Sequence, residues 1–448
     1  MVLDINIFRC PEGLNAIKNS EYARGRDDTN VRLVVEADIE WRKADFDLSQ
    51  LKKDVNSLNK QIAILKKQNA PESEISPLIA NCETKRNAII SLTTNEHNTK
   101  KLRDNILQKI GNIICKTVPI GTDESKNSVI RTWFPNGDPT TKTNTRILQH
   151  HEILKKLDSL DLKKGAEIAG HRGYFLKGFG CLLNNALISY GLSFLSKKGY
   201  IPIRTPVLMK KTIMAECAEL SDFAETLYCI PSNHDGNVEN DERENLYLIA
   251  TSEQPLTALH RNETLNGKKL PLKYAGISPC FRKEAGAHGI DTRGIFRVHN
   301  FDKVEQFCIT SCENSEEMHQ EMIKVSEEFY QSLMLPYRIV SIVASALNNA
   351  ASKKYDLEVW FPGYNNYREL VSCSNCTDYQ SVSVKTKYTT SQGTKKYVHM
   401  LNGTLVATQR CICAIVENFQ DENGVRIPPV LVPYMGGSEY IPWQSILD

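Results

Sequence analysis

Between Ala37 and Leu65, apolar residues recur at Ala37, Trp41, Ala44, Leu48, Leu51, Val55, Leu58, Ile62 and Leu65, in alternating steps of four and three. A heptad seam of this kind commits the segment to a helix buried along one narrow stripe, because only a partner helix covers such a stripe continuously. Lys52, Asp54, Lys60 and Gln61 fill the outward faces, and Asn69, Ala70 and Pro71 interrupt the pattern. A looser series follows at Leu78, Cys82, Ile89 and Leu92 and continues through Leu102, Ile106, Ile110 and Ile113. Together the two series predict an antiparallel hairpin of long helices. At about 1.5 Å per residue, some 35 residues would reach about 50 Å. Lys52, Lys53, Lys60, Lys66, Lys67, Lys85, Lys100 and Lys101 interleave with few aromatics. That surface suits contact with a nucleic-acid backbone better than base stacking. A dimerising or spacing coil satisfies the same pattern, and both alternatives stay open at this level.

The hairpin accounts for only part of 448 residues, so a globular body must follow. Gly121 to Arg146, rich in Thr, Asn, Pro, Gly and Asp, reads as a crossing segment. The expected organisation is a helical arm over 1–120, a linker over 121–149 and a body over 150–448. Pro231 to Asn245 is dense in Asn, Asp and Glu and is expected to be a surface loop. Lys plus Arg total 55 against 53 for Asp plus Glu, which excludes a polybasic protein. No uncharged apolar run approaches the roughly 20 residues that cross a bilayer, so no membrane partner is expected. Thirteen cysteines without framework spacing point to reduced thiols in a cytosolic, cytoplasmic setting. Cys373 and Cys376 have the spacing of a zinc half-site, but no second pair follows closely, and no structural zinc is expected.

Strand-like runs occur at Leu246 to Ala250, Leu272 to Ile277, Phe301 to Ile309, Tyr337 to Val343, Tyr355 to Phe361, Tyr367 to Val371 and Tyr397 to Leu401. Several are joined by short loops without regular βαβ alternation. An α+β body is therefore expected, built on an antiparallel sheet flanked by helices. Gly180 to Lys198 and Gly403 to Asn418 carry helical spacing.

The glycine loops of dinucleotide and P-loop folds and the histidine pair of zinc proteases are absent. In their place stands Phe281-Arg282-Lys283-Glu284, a stretch from Ala285 to Gly294, and then Phe296-Arg297-Val298-His299-Asn300-Phe301. Alternation on both flanks suggests a hairpin with a mobile loop, in which Arg282, Glu284, Arg297 and Phe301 share a face. Paired arginines and an aromatic ring suit a nucleoside triphosphate, with charge-assisted contacts to phosphate and a flat surface for the base; an exposed charged hairpin is the plainer alternative.

Gly199-Tyr200-Ile201-Pro202-Ile203-Arg204-Thr205-Pro206, this hairpin, and Leu401-Asn402-Gly403-Thr404 through Arg410 follow one another along the chain. Their order resembles the three motifs of class II aminoacyl-tRNA synthetases. With His171-Arg172-Gly173-Tyr174-Phe175-Leu176, Thr251-Ser252-Glu253 and Arg368-Glu369-Leu370-Val371-Ser372-Cys373-Ser374-Asn375, the chain resembles seryl-tRNA synthetases of the cytosolic eukaryotic type over nearly its whole length.

That resemblance implies activation of serine by ATP and its transfer to tRNA(Ser), and it leaves tRNA(Sec) open as a second acceptor. It implies that Arg282 and Arg410 are catalytic. ATP is expected on Arg282, Lys283, Glu284, Arg297, Val298, His299, Asn300, Phe301, Glu369, Leu370, Val371, Ser372 and Arg410. Within that set, Arg282 would hold the α-phosphate, Glu284 the adenine amino group and Phe301 the ring. Mg2+ is expected on Glu369 and Ser372, and serine on Thr251, Ser252, Glu253, Arg282, Glu305, Asn402 and Thr404. From the residues alone, Thr251 and Gln254 also read as a capping box. The helical arm would bind tRNA along its long variable arm, and the first motif, around Pro206, would line a homodimer interface.

Departures from the family pattern are few. Family members usually continue Asp-Tyr-Gln with Ala-Arg-Arg, whereas here Asp378-Tyr379-Gln380 runs into Ser381-Val382-Ser383, and Ile290 stands where a basic residue is common. The sequence ends at Asp448 without a basic tail, so tail-dependent tRNA affinity is not expected. Two rivals remain: a synthetase-like scaffold without activity, and a related enzyme for threonine or proline.

Overall fold

The computed structural model describes residues 1–141, 147–231, 245–285 and 293–444. The chain divides into two units, Leu3–Gly111 on the one hand and Asn112–Asp448 with Met1–Val2 on the other.

In the first unit α1 (Pro11–Ala23) precedes two long helices, α2 (Thr29–Lys67) and α3 (Glu72–Leu107). Cross-helix contacts fix their direction, since partners fall along α3 as they rise along α2. Asp38 meets Arg103 at 3.3 Å, Trp41 Nε1 donates to Glu96 at 2.7 Å, and Lys85 Nζ donates to Asp54 at 2.5 Å. Ala37, Ala44, Leu48 and Val55 of the heptad seam are buried, as are Ile75, Cys82 and Leu107 of α3. Each large apolar side chain buried in this way contributes about 1.5 to 3 kcal/mol. At the base, Asp38 is almost fully buried and is engaged by Arg9, Arg42 and Arg103. The Arg103 guanidinium also lies 4.3 Å above the Trp41 ring. The turn between the long helices uses Asn69 at φ 52, a conformation Asn tolerates, and then Pro71, which cannot continue a helix but can begin one. The second apolar series was expected to run on to Ile113, but α3 ends at Leu107.

The second unit is built on an eight-stranded sheet. Its strands are β1 (Ser128–Trp133), β2 (Ile201–Arg204), β3 (Leu272–Phe281), β4 (Asn300–Thr310), β5 (Tyr337–Ser341), β6 (Lys353–Phe361), β7 (Asn366–Asn375) and β8 (His399–Ala407). The spatial order is β1-β5-β6-β7-β8-β4-β3-β2, with every pair antiparallel except β2 with β3. The expected α+β class, with an antiparallel sheet, is the observed one. β1 lies inside the stretch read as a linker. Its Ser-Val-Ile-Arg-Thr-Trp run is short, sits among turn-forming residues, and pairs only as an edge against β5. Residues 142–146 of that stretch, most of Pro231 to Asn245, and the hairpin centre including Ile290 lie outside the described residues.

Helices α4 (His150–Lys156), α5 (Gly178–Lys197), α6 (Glu253–Ala258), α7 (Ser315–Ser332) and α8 (Thr408–Asn418) surround the sheet. Gly191 of α5 lies over Val304, Leu405 and Val406, and Gln306 Nε2 donates to the Met322 carbonyl and to Ser326 of α7. One face of the sheet is thereby closed, and residues alternating with Val304 and Gln306 face the other way. The late helix expected from Gly403 begins only at Thr408, because Gly403 to Ala407 complete β8 in the middle of the sheet. α5 is apolar enough, by length and composition, to cross a bilayer. Here Leu183, Ala186, Leu187 and Leu195 turn into the core, while Leu182 stays 55% exposed.

Candidate active site

The open face of the sheet forms the floor of a cavity of about 300 Å3. Alternation places Phe301, Lys303 and Glu305 of β4 side by side on it, with Asn402 and Thr404 of β8 and Ser372 and Ser374 of β7 alongside. Two register shifts re-aim the key carboxylates. One lies between Val304 and Glu305 where β4 meets β8, the other between Leu357 and Glu358 where β6 meets β7 beside Glu369. Gly276, opposite Glu305 on β3, lets α6 come close, since a Cβ there would stand 2.6 Å from Ser252 Oγ.

At one end is a small anionic pocket. Glu305 Oε2 accepts from the Thr251 and Ser252 hydroxyls, both at 2.6 Å, and from the Glu253 N–H at 3.1 Å. Oε1 accepts from Lys303 Nζ at 2.6 Å. Burial opposes ionisation of Glu305, but Lys303 and the two hydroxyls hold its pKa below the ordinary value. Glu253 behaves in the opposite sense: burial, with Glu305 adding to it, pushes its pKa up to about 7. Its Oε1 accepts from Gln380 at 2.6 Å and from Asn402 at 2.8 Å. The capping-box alternative for Thr251 is set aside. Gln254 Oε1 accepts from the Ala250 N–H at 2.9 Å and so does not close the box, while the Thr251 hydroxyl donates to Glu305 and accepts from the Glu253 N–H at 3.1 Å.

At the other end the wall is cationic. Arg282 donates to the Ala250 carbonyl at 3.3 Å and lies 5.3 Å over the Phe301 ring. Glu284, at φ 50, is turned between Arg297 at 3.5 Å and Arg172 at 3.8 Å. Arg410, in the first turn of α8, donates to the Glu369 carbonyl at 3.1 Å and stands 3.5 Å from its carboxylate. Burial would raise the Glu369 pKa, but Arg410, Lys354, Arg282 and Arg297 hold it down. Phe296 completes the wall, with Arg410 at 4.9 Å and Arg368 at 5.0 Å from its ring.

Glu369 and Ser372 offer oxygen donors to the cavity. Behind them Asp356, hydrogen-bonded to Ser372, has a buried Oδ1 with no hydrogen-bond partner among the described residues. Burial pushes its pKa up to about 8. No group of three or more His, Cys, Asp or Glu among the described residues could hold a metal alone. Two or three hard oxygen donors with open positions suit Mg2+ entering with phosphates rather than a protein-caged ion.

Of the residues expected at the site, Thr251, Glu253, Arg282, Glu284, Arg297, Val298, Phe301, Glu305, Glu369, Leu370, Ser372, Asn402, Thr404 and Arg410 line this cavity. Ser252 stands immediately behind Glu305. The remaining four do not line it. Lys283 Nζ donates to the Ala224 carbonyl, His299 Nδ1 faces the Arg282 carbonyl, Asn300 offers its carbonyl to Tyr174, and Val371 is fully buried in the core. Lys303, Phe296, Asn348, Lys354, Ser374 and Gln409 line the cavity without having been anticipated. Lys303 was legible, since it lies midway between Phe301 and Glu305 on a strand. Gln380, which anchors Glu253, stands just ahead of the departing Ser381-Val382-Ser383. Ser381 is buried, with its hydroxyl donated to the Val398 carbonyl at 2.6 Å.

Residues 2–114 match the family model described as the seryl-tRNA synthetase N-terminal domain, and residues 237–419 match the tRNA synthetase class II core domain (G, H, P, S and T). A serine–tRNA ligase of Helianthus annuus is 48% identical, covering 98% of both chains. Among solved structures, the cytoplasmic serine–tRNA ligase of Naegleria fowleri in complex with AMP is 43% identical with a TM-score of 0.83, covering 99% of this chain and 100% of that one. The seryl-tRNA synthetase of Pyrococcus horikoshii complexed with ATP is 35% identical with a TM-score of 0.86, at the same coverage.

Proposed function

The chain belongs to the seryl-tRNA synthetase family, and from that premise we propose how its own residues divide the family's reaction. It is a cytoplasmic aminoacyl-tRNA ligase. It joins serine to ATP as seryl-adenylate, releasing diphosphate, and passes the seryl group to the 3′ end of tRNA(Ser). The observation that carries this reading is one cavity lined by Glu253 and Glu305 at one end and by Arg282, Arg297 and Arg410 at the other.

Serine sits at the anionic end, its ammonium on Glu305 and Thr251 and its hydroxyl near Asn402, Thr404 and Glu253. Alanine or glycine would lack the hydroxyl and forgo its hydrogen bonds here, at about 0.5 to 1.5 kcal/mol for each. The ATP phosphates face Arg282, Arg297 and Arg410, with Glu284 accepting from the adenine amino group and Phe301 stacking on the ring. The serine carboxylate then attacks the α-phosphorus in line and diphosphate leaves. Arg282 stabilises the charge that builds on the phosphorus oxygens, so catalysis is positioning and electrostatics with no protein nucleophile. Mg2+ held by Glu369 and Ser372 would neutralise the phosphates and the departing diphosphate. In the second step a terminal ribose hydroxyl of tRNA attacks the acyl carbon and AMP leaves.

The helical arm is the tRNA-binding element, its exposed Lys52, Lys53, Lys60, Lys66 and Lys67 meeting phosphates along the variable arm. The enzyme works as a homodimer. Phe175, Leu182 and Ile201 remain 45%, 55% and 56% exposed around the first motif, apolar area that a second copy would cover. Charging of tRNA(Ser) with labelled serine by the purified chain tests the whole reading. ATP-dependent attachment to the tRNA is expected, and a chain that binds ATP and tRNA without attaching serine would be a scaffold instead.

A further inference from the structure

Lys303 is the one member of the Phe301, Lys303, Glu305 face that the motifs pass over, and it is also the most confined cation in the cavity. Its side chain is 6% exposed and its ammonium reaches two acceptors, Glu305 Oε1 at 2.6 Å and Thr251 Oγ1 at 2.8 Å. The second oxygen of Glu305 is already taken by the Thr251 and Ser252 hydroxyls and the Glu253 N–H. One oxygen of Glu253, Oε1, accepts from Gln380 and Asn402. The acceptor positions around Glu305 are thus in use, and the cation they hold belongs to the protein.

Serine brings a second ammonium to that carboxylate. Two ammonium groups cannot share one buried oxygen without strong repulsion, and a displaced Lys303 would be a buried charge lacking its anion. An α-amino acid carries the remedy, because its own carboxylate is attached to the same carbon as its ammonium. We infer that Lys303 is a specificity-determining residue: in the empty site it fills the ammonium position on Glu305, and when an amino acid binds it passes to the substrate carboxylate. The pocket therefore accepts a zwitterion and rejects a simple amine of the same size. The oxygen left unpaired by Lys303 remains to attack phosphorus, so the same contact fixes which oxygen is the nucleophile. This inference rests on the assignment of Glu305 as the ammonium-binding group for serine.

Serinol, which has the amine and hydroxyl of serine without its carboxylate, separates the possibilities. In serine-dependent ATP–diphosphate exchange by the wild type, serinol should inhibit competitively with a Ki roughly 100-fold or more above the serine KM. In Lys303→Met the serine KM should rise about tenfold or more, whereas the serinol Ki should fall, because the competing ammonium is gone. Opposite movement of the two ligands is a change that loosened packing would not produce. A parallel loss for both ligands, or an unchanged serine KM, would overturn the inference. Lys303→Gln gives the same comparison should the methionine variant not fold, and serinol binding to the wild type as tightly as serine would contradict the inference without any variant. Absence of serine-dependent exchange by the wild type would instead overturn the assignment on which the inference rests, and the inference with it.

Discussion

At the scale of single residues the cavity works by holding like charges in unlike states. Glu305 is buried and Glu253 half-buried, yet Lys303 keeps the first below its ordinary pKa while desolvation, with Glu305 adding to it, lifts the second to about 7. A carboxyl that binds its proton more tightly when folded than its ordinary value of 4.5 stabilises the protein fully below that value, and the contribution is lost as pH rises through about 7. The stability of the wild type relative to Glu253→Gln should therefore fall between about pH 4.5 and 7 and then level off. The change should be of order 2 to 3 kcal/mol, read from denaturant titrations at each pH. Arg282 carries a different burden. Arg282→Ala should lower adenylate formation by about 10²-fold or more with little change in Tm, since it removes charge from the transition state and leaves the core untouched. Near-normal exchange in that variant would place the α-phosphate elsewhere. Sequence order brought together most of the residues that line the cavity, because their motifs carry charge types needed for one chemistry. Phe296 escaped because it reads locally as an ordinary core residue, and Lys303 because no motif names it, although strand alternation between Phe301 and Glu305 made it legible. Val371 and His299 were swept in by neighbours although their own side chains face away.

Elements hold those residues through contacts that no motif advertises. His150 opens α4 fully buried, with Nδ1 at 2.9 Å from Glu417 of α8 and Nε2 at 3.2 Å from the Arg293 carbonyl. Glu417 also accepts from the backbone of His150 and of Gly363. Burial disfavours a charged imidazole, but Cys413 and Glu417 raise its pKa above the ordinary value. The pair ties the helix that carries Arg410 to the turn-rich segment from Arg293 to Arg297. His150→Ala would strand a buried carboxylate, so a loss of about 3 to 5 kcal/mol is expected in denaturant titrations. The KM for ATP should rise more than that for serine. Equal change in both would mean that the pair supports the core alone. The helix hairpin was the most legible element, because a heptad seam admits few other solutions. β1 was missed and α8 was begun too early for one reason: an edge strand inside turn-rich sequence, and a strand passing directly into a helix, leave no break in apolar spacing.

For the whole molecule, activation and tRNA binding are assigned to separate units. Replacing residues 49–91 with a short Gly-Ser turn removes the distal arm but keeps the Asp38–Arg103 and Trp41–Glu96 contacts at its base. The truncated enzyme should form seryl-adenylate at close to the full rate and lose transfer to tRNA by about 10²-fold or more, as expected when several phosphate contacts vanish. Transfer that survives would reduce the arm to a spacer. The fold class and the division into arm and body were readable because helical and strand periodicities differ so plainly along the chain. Which strands would be neighbours was not, since sheet order depends on contacts between residues far apart in sequence. The most direct measurement is ATP–diphosphate exchange by the purified chain, compared across serine, threonine, proline and alanine. Serine alone should drive exchange well above background. No exchange with any of them, or faster exchange with threonine or proline, would contradict the assignment of the pocket around Glu305.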